Sequence, residues 1–145
     1  MTHPKPVMTT TELNAFISEV FPQLMEQFPE YTCTLVEAGR VVVQIQTSDL
    51  HIRAGGTVSG PTLFSLADMG GYACVLSHVG REALAVTTNL NINFMRKAEP
   101  GLLIADCKIL KLGKRLMVFE AAIMTKGSTD LIAHATGTYA IPPMK

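Results

Sequence analysis

Residues 55–79, GGTVSGPTLFSLADMGGYACVLSHV, form the longest apolar stretch of the chain. Ser59 can cap a helix and Pro61 suits its first turn, so we expect a helix over about residues 62–78. Almost every position is apolar or small, which predicts a helix buried on most of its surface. A central aspartate costs roughly 2.5 to 3.5 kcal/mol on membrane-insertion scales, so Asp68 argues against a membrane span.

After this helix the sequence changes to the two-residue period of β-strands. Over residues 84–94 the even-numbered, mostly apolar positions are predicted to face one way. The odd-numbered positions, including Thr87 and Asn89, are predicted to face the other way. Three further strand-like runs separated by turn signals predict an antiparallel meander, at residues 102–112, 116–125 and 131–141.

Before the long helix, residues 13–28 carry apolar side chains at the spacing of one helix face. Thr9 and Glu12 match a capping box, and Pro22 predicts a break in this amphipathic helix. The β-branched runs 33–38 and 41–47 predict a hairpin. A single apolar helix among about six strands is best buried by a curved sheet, so we predict an α+β fold.

Length and composition narrow the functional classes. The 145 residues suit one domain, predicted over residues 1–145, and twelve basic residues balance twelve acidic ones. A neutral chain lacks the excess positive charge that nucleic-acid binding requires. Its mean hydropathy is positive, which predicts an oligomer that covers apolar surface. The sequence begins without a signal-peptide pattern, and three cysteines without paired spacing suggest reduced core thiols, so we predict a cytoplasmic protein.

Asp68 is unusual for a core helix because no Lys or Arg lies three or four positions away to pair with it. It could lie on a solvated strip of the helix, or it could have a chemical role. Gly70 and Gly71 follow directly, and each costs about 1 kcal/mol relative to alanine in a helix. We therefore expect a close approach there, for instance by a symmetry-related helix. At the start of the helix, the N–H of Gly60 could stabilise an anion or a developing oxyanion.

Three segments together resemble the phenylacetyl-CoA-type (PaaI-like) thioesterases of the hot dog superfamily. They are GGTVSGPTLFSLADMGGYAC at residues 55–74, AVTTNLNINFMRKAEPG at residues 85–101 and GKRLMVFEAAIMTKGSTDLIAHATGTY at residues 113–139. The resemblance covers most of the chain. It implies a hot dog fold, in which a curved antiparallel β-sheet wraps around a long central helix. It also implies homodimers or homotetramers, described as a dimer of dimers, with active sites between protomers.

The resemblance implies an acyl-CoA thioesterase that acts on an acyl or aryl thioester of coenzyme A. Asp68 matches the carboxylate that activates water or attacks the thioester, and Gly60 matches the glycine whose N–H polarises the carbonyl. Thr87 lies near the position of the family's small hydroxyl residue on the strand after the helix, which helps orient water. The chain departs from the pattern at Ser59 and Pro61, where the family commonly has His-Gly-Gly around Gly60, and at Arg53, where it often has Asn. Candidate substrate-binding residues are Arg53, Ser59, Pro61, Thr87, Asn89 and Arg96.

Arg53 could bind a carboxylate on the substrate or pair with Asp68, since a guanidinium suits both. We interpret the basic segment that includes Arg96 mainly as a charged, solvated edge of the sheet, although a few of its residues could contact coenzyme A phosphates. The four histidines lack metal-ligand spacing, and we expect no metal and no cofactor. His51 lies near the predicted site. Two alternatives stay open, a hot dog hydratase or dehydratase and a non-catalytic acyl-CoA binder.

Overall fold

The structure, a computed structural model, describes residues 3–143 of the chain. It contains one six-stranded antiparallel sheet in the order β1-β2-β4-β5-β6-β3. The strands are β1 (Thr32–Glu37), β2 (Arg40–Gln46), β3 (Val86–Phe94), β4 (Leu102–Leu112), β5 (Leu116–Thr125) and β6 (Ala133–Ala140). The helices are α1 (Thr10–Val20), α2 (Pro22–Gln27) and α3 (Gly60–Val79). This arrangement confirms the predicted hot dog fold.

The 20-residue helix α3 lies in the concave face of the sheet. Ser59 caps it by accepting a hydrogen bond from the Thr62 N–H at 3.3 Å, as the sequence predicts. Leu66, Ala73 and Leu76 are completely buried between the helix and the sheet. Among the helices of residues 3–143, none is long and apolar enough to cross a membrane.

The two helices α1 and α2 cover one end of this core. The capping box of Thr9 and Glu12 is confirmed, and Pro22 begins α2 immediately after the break. Leu13, Phe16 and Ile17 are the buried residues of α1, in agreement with the predicted apolar face. The three cysteines are free and buried, at Cys33, Cys74 and Cys107.

The helix approaches a neighbour closely at Gly70 and Gly71, as we expected from the helix propensity that two glycines lose. The neighbour, however, is the sheet of the same chain. A Cβ at position 70 would meet Cys107 Sγ, and one at position 71 would meet the rings of Phe119 and Tyr139. The two glycines therefore let α3 pack closely against β4, β5 and β6. A symmetry-related helix is not needed to explain them.

The face assignment predicted for residues 84–94 is wrong at its start. A bulge at Thr88 separates the pairs Thr87–Tyr139 and Asn89–Thr138. Because a bulge adds one residue to one strand, Thr87 points to the same side of the sheet as Leu90. That side faces α3, so the bulge directs the Thr87 hydroxyl toward the central helix.

Candidate active site

Asp68 lies half-buried in the middle of α3, where two hydroxyl groups hold one of its oxygens. Thr87 Oγ1 donates to Oδ1 at 2.6 Å, and Tyr139 Oη lies 2.7 Å from the same atom. Such short hydrogen bonds are typical of an ionised acceptor. Within residues 3–143, Oδ2 accepts no hydrogen bond, so this oxygen is available to a ligand.

Tyr139 remains a donor over a wide pH range. Burial raises the pKa of Tyr139, and the nearby charge of Asp68 raises that pKa further. The protonated phenol also lies 2.8 Å from the main-chain oxygen of Asp68. The carboxylate is thus fixed by neutral donors instead of by the basic partner that a buried acid often has.

A cavity of about 470 Å³ opens beside Asp68. Residues from the α1–α2 junction, α3, the approach to β3 and β6 line it: Val20, Phe21, Leu24, Asp68, Met69, Tyr72, Ala83, Ala85, Val86, Thr87 and Tyr139. The Tyr72 hydroxyl donates to the Ala83 carbonyl at 3.0 Å. Since the Thr87 and Tyr139 hydroxyls are engaged with Asp68, Oδ2 is the side-chain oxygen left without a partner among these residues.

Gly60 is the first residue of α3, and its N–H has no acceptor within residues 3–143. It lines a separate cavity of about 300 Å³ together with Arg53 and Arg96. A Cβ at position 60 would lie 3.5 Å from the ring of Phe94 and would partly fill this space. The positive end of the helix dipole and the two arginines favour a negatively charged or polarised group here.

Gly60 and Asp68 lie at different places along one helix. Eight residues at a rise of 1.5 Å each separate them by about 12 Å along the axis. Such a distance is too long for one thioester carbonyl to contact both groups. Within one chain, the structure therefore brings Thr87 to Asp68, and Arg53 and Arg96 to Gly60, but it does not bring Asp68 and Gly60 together.

The other candidate residues have varied surroundings. The Ser59 hydroxyl lies 2.7 Å from Thr62 Oγ1, so it is engaged in capping α3. Pro61 is exposed in the first turn of the helix, and Asn89 is exposed on β3. Arg96 approaches Asp130 at 3.7 Å. These positions leave the binding roles of Ser59, Pro61, Asn89 and Arg96 as predictions.

The suggested pairing of Arg53 with Asp68 is not formed within the protomer. Arg53 is exposed, and its guanidinium donates to Thr57 Oγ1 at 3.3 Å. The glycine-rich turn before α3 keeps this side chain at the Gly60 end of the helix. Any contact of Arg53 with a substrate would therefore be made beside Gly60.

His51 has a structural role that its sequence context did not reveal. Its Nδ1 accepts from the Ser48 N–H at 2.9 Å, and its Nε2 lies 2.8 Å from the Gln27 carbonyl. The ring also stacks on Phe28 with centroids 4.7 Å apart. Because both nitrogens are engaged, His51 ties α2 to the segment before α3.

Sequence reasoning missed three residues of the site, Tyr139, Tyr72 and Phe21. Tyr139 follows Ala135 and Gly137 at two-residue intervals, the signal that all three face the helix across β6. Tyr72 lies four residues after Asp68, hence on the same face of α3. Phe21 was predicted only as part of an apolar face, and its place beside the cavity follows from the break at Pro22.

Residues 55–132 match the sequence model of the Thioesterase superfamily, which is more than half of the chain. The chain belongs to the thioesterase superfamily. It is therefore a thioester hydrolase by family, and the predicted relationship is confirmed. The matched range includes both Gly60 and Asp68 but ends before Tyr139.

Individual relatives agree with this assignment. A "putative esterase" of Pseudomonas aeruginosa is 31% identical over 121 residues, which cover 82% of this chain and 88% of the relative. The crystal structure of a "putative thioesterase" from Silicibacter sp. TM1040 is 42% identical, with a TM-score of 0.87, covering 97% of this chain and 96% of that one. A phenylacetic acid degradation-related protein from Ralstonia eutropha shares the fold at 23% identity and a TM-score of 0.76, covering 88% of this chain and 100% of that one.

Proposed function

We propose that this chain hydrolyses acyl thioesters of coenzyme A, with Asp68 as general base or nucleophile. The observation that carries the proposal is the Asp68 carboxylate, whose Oδ1 is held by two hydroxyls while Oδ2 is left without a protein partner beside an apolar cavity. Thioester hydrolysis needs such a group next to the reacting carbonyl. It also needs a donor toward the developing oxyanion.

Two routes use these atoms. In the first, Oδ2 removes a proton from water as the water oxygen adds to the thioester carbonyl carbon. The tetrahedral intermediate then collapses and the C–S bond breaks. The proton passes from Asp68 to the departing thiolate. In the second, Oδ2 attacks the carbonyl carbon and displaces the thiolate, and water then hydrolyses the mixed anhydride. Label in the Asp68 side chain after single turnover in ¹⁸O-labelled water identifies the second route, because only attack of water on the Asp68 carbonyl carbon of the anhydride places it there.

The oxyanion donor is supplied, in this proposal, by the Gly60 N–H of a second protomer. Gly60 and Asp68 of one chain lie about 12 Å apart along α3, so they do not both contact one thioester carbonyl. The strand β3 lies at the edge of the sheet and offers hydrogen-bonding groups to another chain. Exposed apolar side chains lie at both ends of this strand, Leu84 and Val86 at its start and Phe94 and Met95 at its end. A second copy paired along β3 would cover them and make a homodimer, on which a homotetramer could be built.

Mixing two inactive variants tests the shared site. Asp68→Asn removes the carboxylate, and Gly60→Val fills the space beside the oxyanion donor. If the site is shared, mixed dimers formed by co-refolding recover activity, since each contains one intact pair of groups. Two inactive variants whose mixed dimers stay inactive would contradict the shared site, whereas Asp68 could still act within one protomer.

The hydratase alternative receives less support from the geometry. Among residues 3–143, no histidine is hydrogen-bonded to Asp68. His78 lies at the end of α3, where its Nε2 accepts from the Gly39 N–H at 3.0 Å. Both this ring and that of His51 are engaged elsewhere, so neither forms an acid–base pair with Asp68.

Release of free coenzyme A from a panel of aryl and aliphatic acyl-CoAs tests the function itself. We expect the wild-type protein to hydrolyse part of the panel and Asp68→Ala to lose this activity while it still folds. If neither protein releases coenzyme A but both bind the panel, a non-catalytic acyl-CoA binder is the better account. Conversion of enoyl-CoA to a hydroxyacyl-CoA would instead favour the hydratase.

A further inference from the structure

We propose that the cavity beside Asp68 binds the acyl group of the substrate as an uncharged chain, and that Phe21 sets the longest chain accepted. This inference rests on the proposed hydrolysis of acyl-CoA and names the substrate class of that site. The cavity of about 470 Å³ lies within the usual range of small-molecule sites. Because Asp68 lines the cavity, an acyl group bound there would lie beside the carboxylate.

The chemistry of the lining selects an uncharged group. Apart from Asp68, each polar side chain of the lining already has a partner: Thr87 and Tyr139 bind Asp68, and Tyr72 binds the Ala83 carbonyl. A carboxylate or hydroxyl on the substrate chain would lose water without gaining a side-chain donor here. A second carboxylate would also be repelled by Asp68.

Phe21 lines this space at the junction of α1 and α2. Pro22 begins a new helix, so Phe21 takes a non-helical backbone conformation, with φ −136° and ψ 60°. Its ring meets Tyr72 edge-on, with centroids 6.3 Å apart and planes at 90°. Because Tyr72 follows Asp68 by one turn, this contact lies about 6 Å along the helix from the carboxylate.

The exposure of Phe21 makes it a suitable specificity determinant. The residue lines the cavity and is 39% exposed, in contrast to its neighbour Leu24 at 5%, so its ring lies at the edge of the cavity and not in the core. Truncation of Phe21 should therefore lengthen the cavity without opening the core. Val20 also lines the cavity and is partly buried, so a larger side chain at this position should shorten it.

The test is kcat/KM for straight-chain acyl-CoAs from acetyl to palmitoyl, with butyryl-CoA and succinyl-CoA compared directly. We expect the wild-type protein to hydrolyse succinyl-CoA more slowly than butyryl-CoA, by about tenfold or more. Phe21→Ala should raise the palmitoyl-to-hexanoyl ratio by about tenfold or more, and Val20→Phe should favour shorter chains. Leu116→Ala, which truncates an exposed apolar residue outside the cavity, should leave the profile unchanged.

A Phe21→Ala variant that folds and keeps the wild-type chain-length profile would overturn the inference, and equal rates for succinyl-CoA and butyryl-CoA would do the same. Neither result would contradict acyl-CoA hydrolysis. If the wild-type protein hydrolyses nothing, the proposed function fails instead. Binding of S-alkyl-CoA thioethers of increasing length then tests the cavity: a shift of the preferred length by Phe21→Ala supports the acyl site, and an unchanged preference overturns it.

Discussion

The hydroxyl of Tyr139 lies 2.7 Å from Oδ1 and 2.8 Å from the main-chain oxygen of Asp68, across 71 residues of sequence. The contact joins the last strand of the sheet to the middle of the central helix. It fixes the carboxylate relative to the fold, and it leaves Oδ2 without a hydrogen-bond partner within residues 3–143. Tyr139 is therefore a positioning residue in the proposed reaction.

Replacement of this tyrosine tests that role. Tyr139→Phe removes one hydrogen bond to a charged group, which is worth about 1.5 to 3 kcal/mol. We expect kcat to fall by roughly 10- to 100-fold and KM to change little, because the apolar ring remains. Steady-state kinetics on the best substrate measures the effect. A variant with wild-type kcat would show that the phenol is not needed to position Asp68.

The hydroxyl of Thr87 is expected to act with Tyr139. Thr87→Val keeps the shape of the side chain but removes the donor to Oδ1, so kcat should fall, whereas Thr87→Ser should retain most of the activity. Thr88→Val is a matched control, since the Thr88 hydroxyl donates to the Thr138 carbonyl at 3.2 Å and not to Asp68. Equal losses in Thr87→Val and Thr88→Val would indicate damage to the bulge instead of loss of the hydrogen bond.

The fit of α3 against the sheet predicts an unusual response to a helix-favouring substitution. Gly70→Ala should gain about 1 kcal/mol of helix propensity, but its methyl group would collide with Cys107 Sγ. Overpacking typically costs about 1 to 3 kcal/mol, so we expect a net loss of stability. Urea unfolding measures it.

Removal of the sulfur provides the control for this prediction. In a Cys107→Ala background the obstructing atom is absent, and Gly70→Ala should then raise the free energy of unfolding. The same destabilisation in both backgrounds would mean that the collision with Cys107 is not the cause.

The burial of the His78 ring leads us to expect a loss of stability toward acidic pH. Its Nε2 accepts from Gly39 and its Nδ1 lies 3.1 Å from the Cys74 carbonyl, so the folded state holds a neutral ring. Burial lowers the pKa of His78 below its ordinary value of about 6.5. The unfolded chain therefore binds the proton first, and the stability present above about pH 6.5 is lost as the pH falls through the folded-state pKa.

Urea unfolding between pH 8 and pH 5 measures this contribution. His78→Gln removes the titrating ring, so its free energy of unfolding should fall less steeply with decreasing pH than that of the wild type. The difference in slope cannot exceed about 1.4 kcal/mol per pH unit for one proton. Parallel curves for the two proteins would show that His78 does not contribute.

Much of the fold follows from local sequence patterns. The predicted strands at residues 102–112 and 116–125 match β4 and β5, and the break at Pro22 is observed. These features depend on periodicity and turn residues, which act over a few positions. The long helix begins two residues earlier than predicted because Ser59 caps it directly.

Less of the candidate site could be predicted from the sequence. Asp68 stood out because it lacks a nearby basic residue, but its actual partner Tyr139 depends on the register of β6 against the sheet. Thr87 faces Asp68 because of the bulge at Thr88. No local residue pattern predicted this bulge. Both contacts result from non-local strand pairing, which the two-residue alternation alone cannot specify.

The central claim is that the Asp68 carboxylate performs the hydrolysis of an acyl-CoA. The most direct test compares kcat of the wild type and Asp68→Asn on the best substrate of the panel, with Asp49→Asn as a control at an exposed aspartate. We expect Asp68→Asn to lose roughly 10²- to 10⁴-fold in kcat with an unchanged melting temperature, and Asp49→Asn to lose nothing. Wild-type turnover by a folded Asp68→Asn protein would contradict the account.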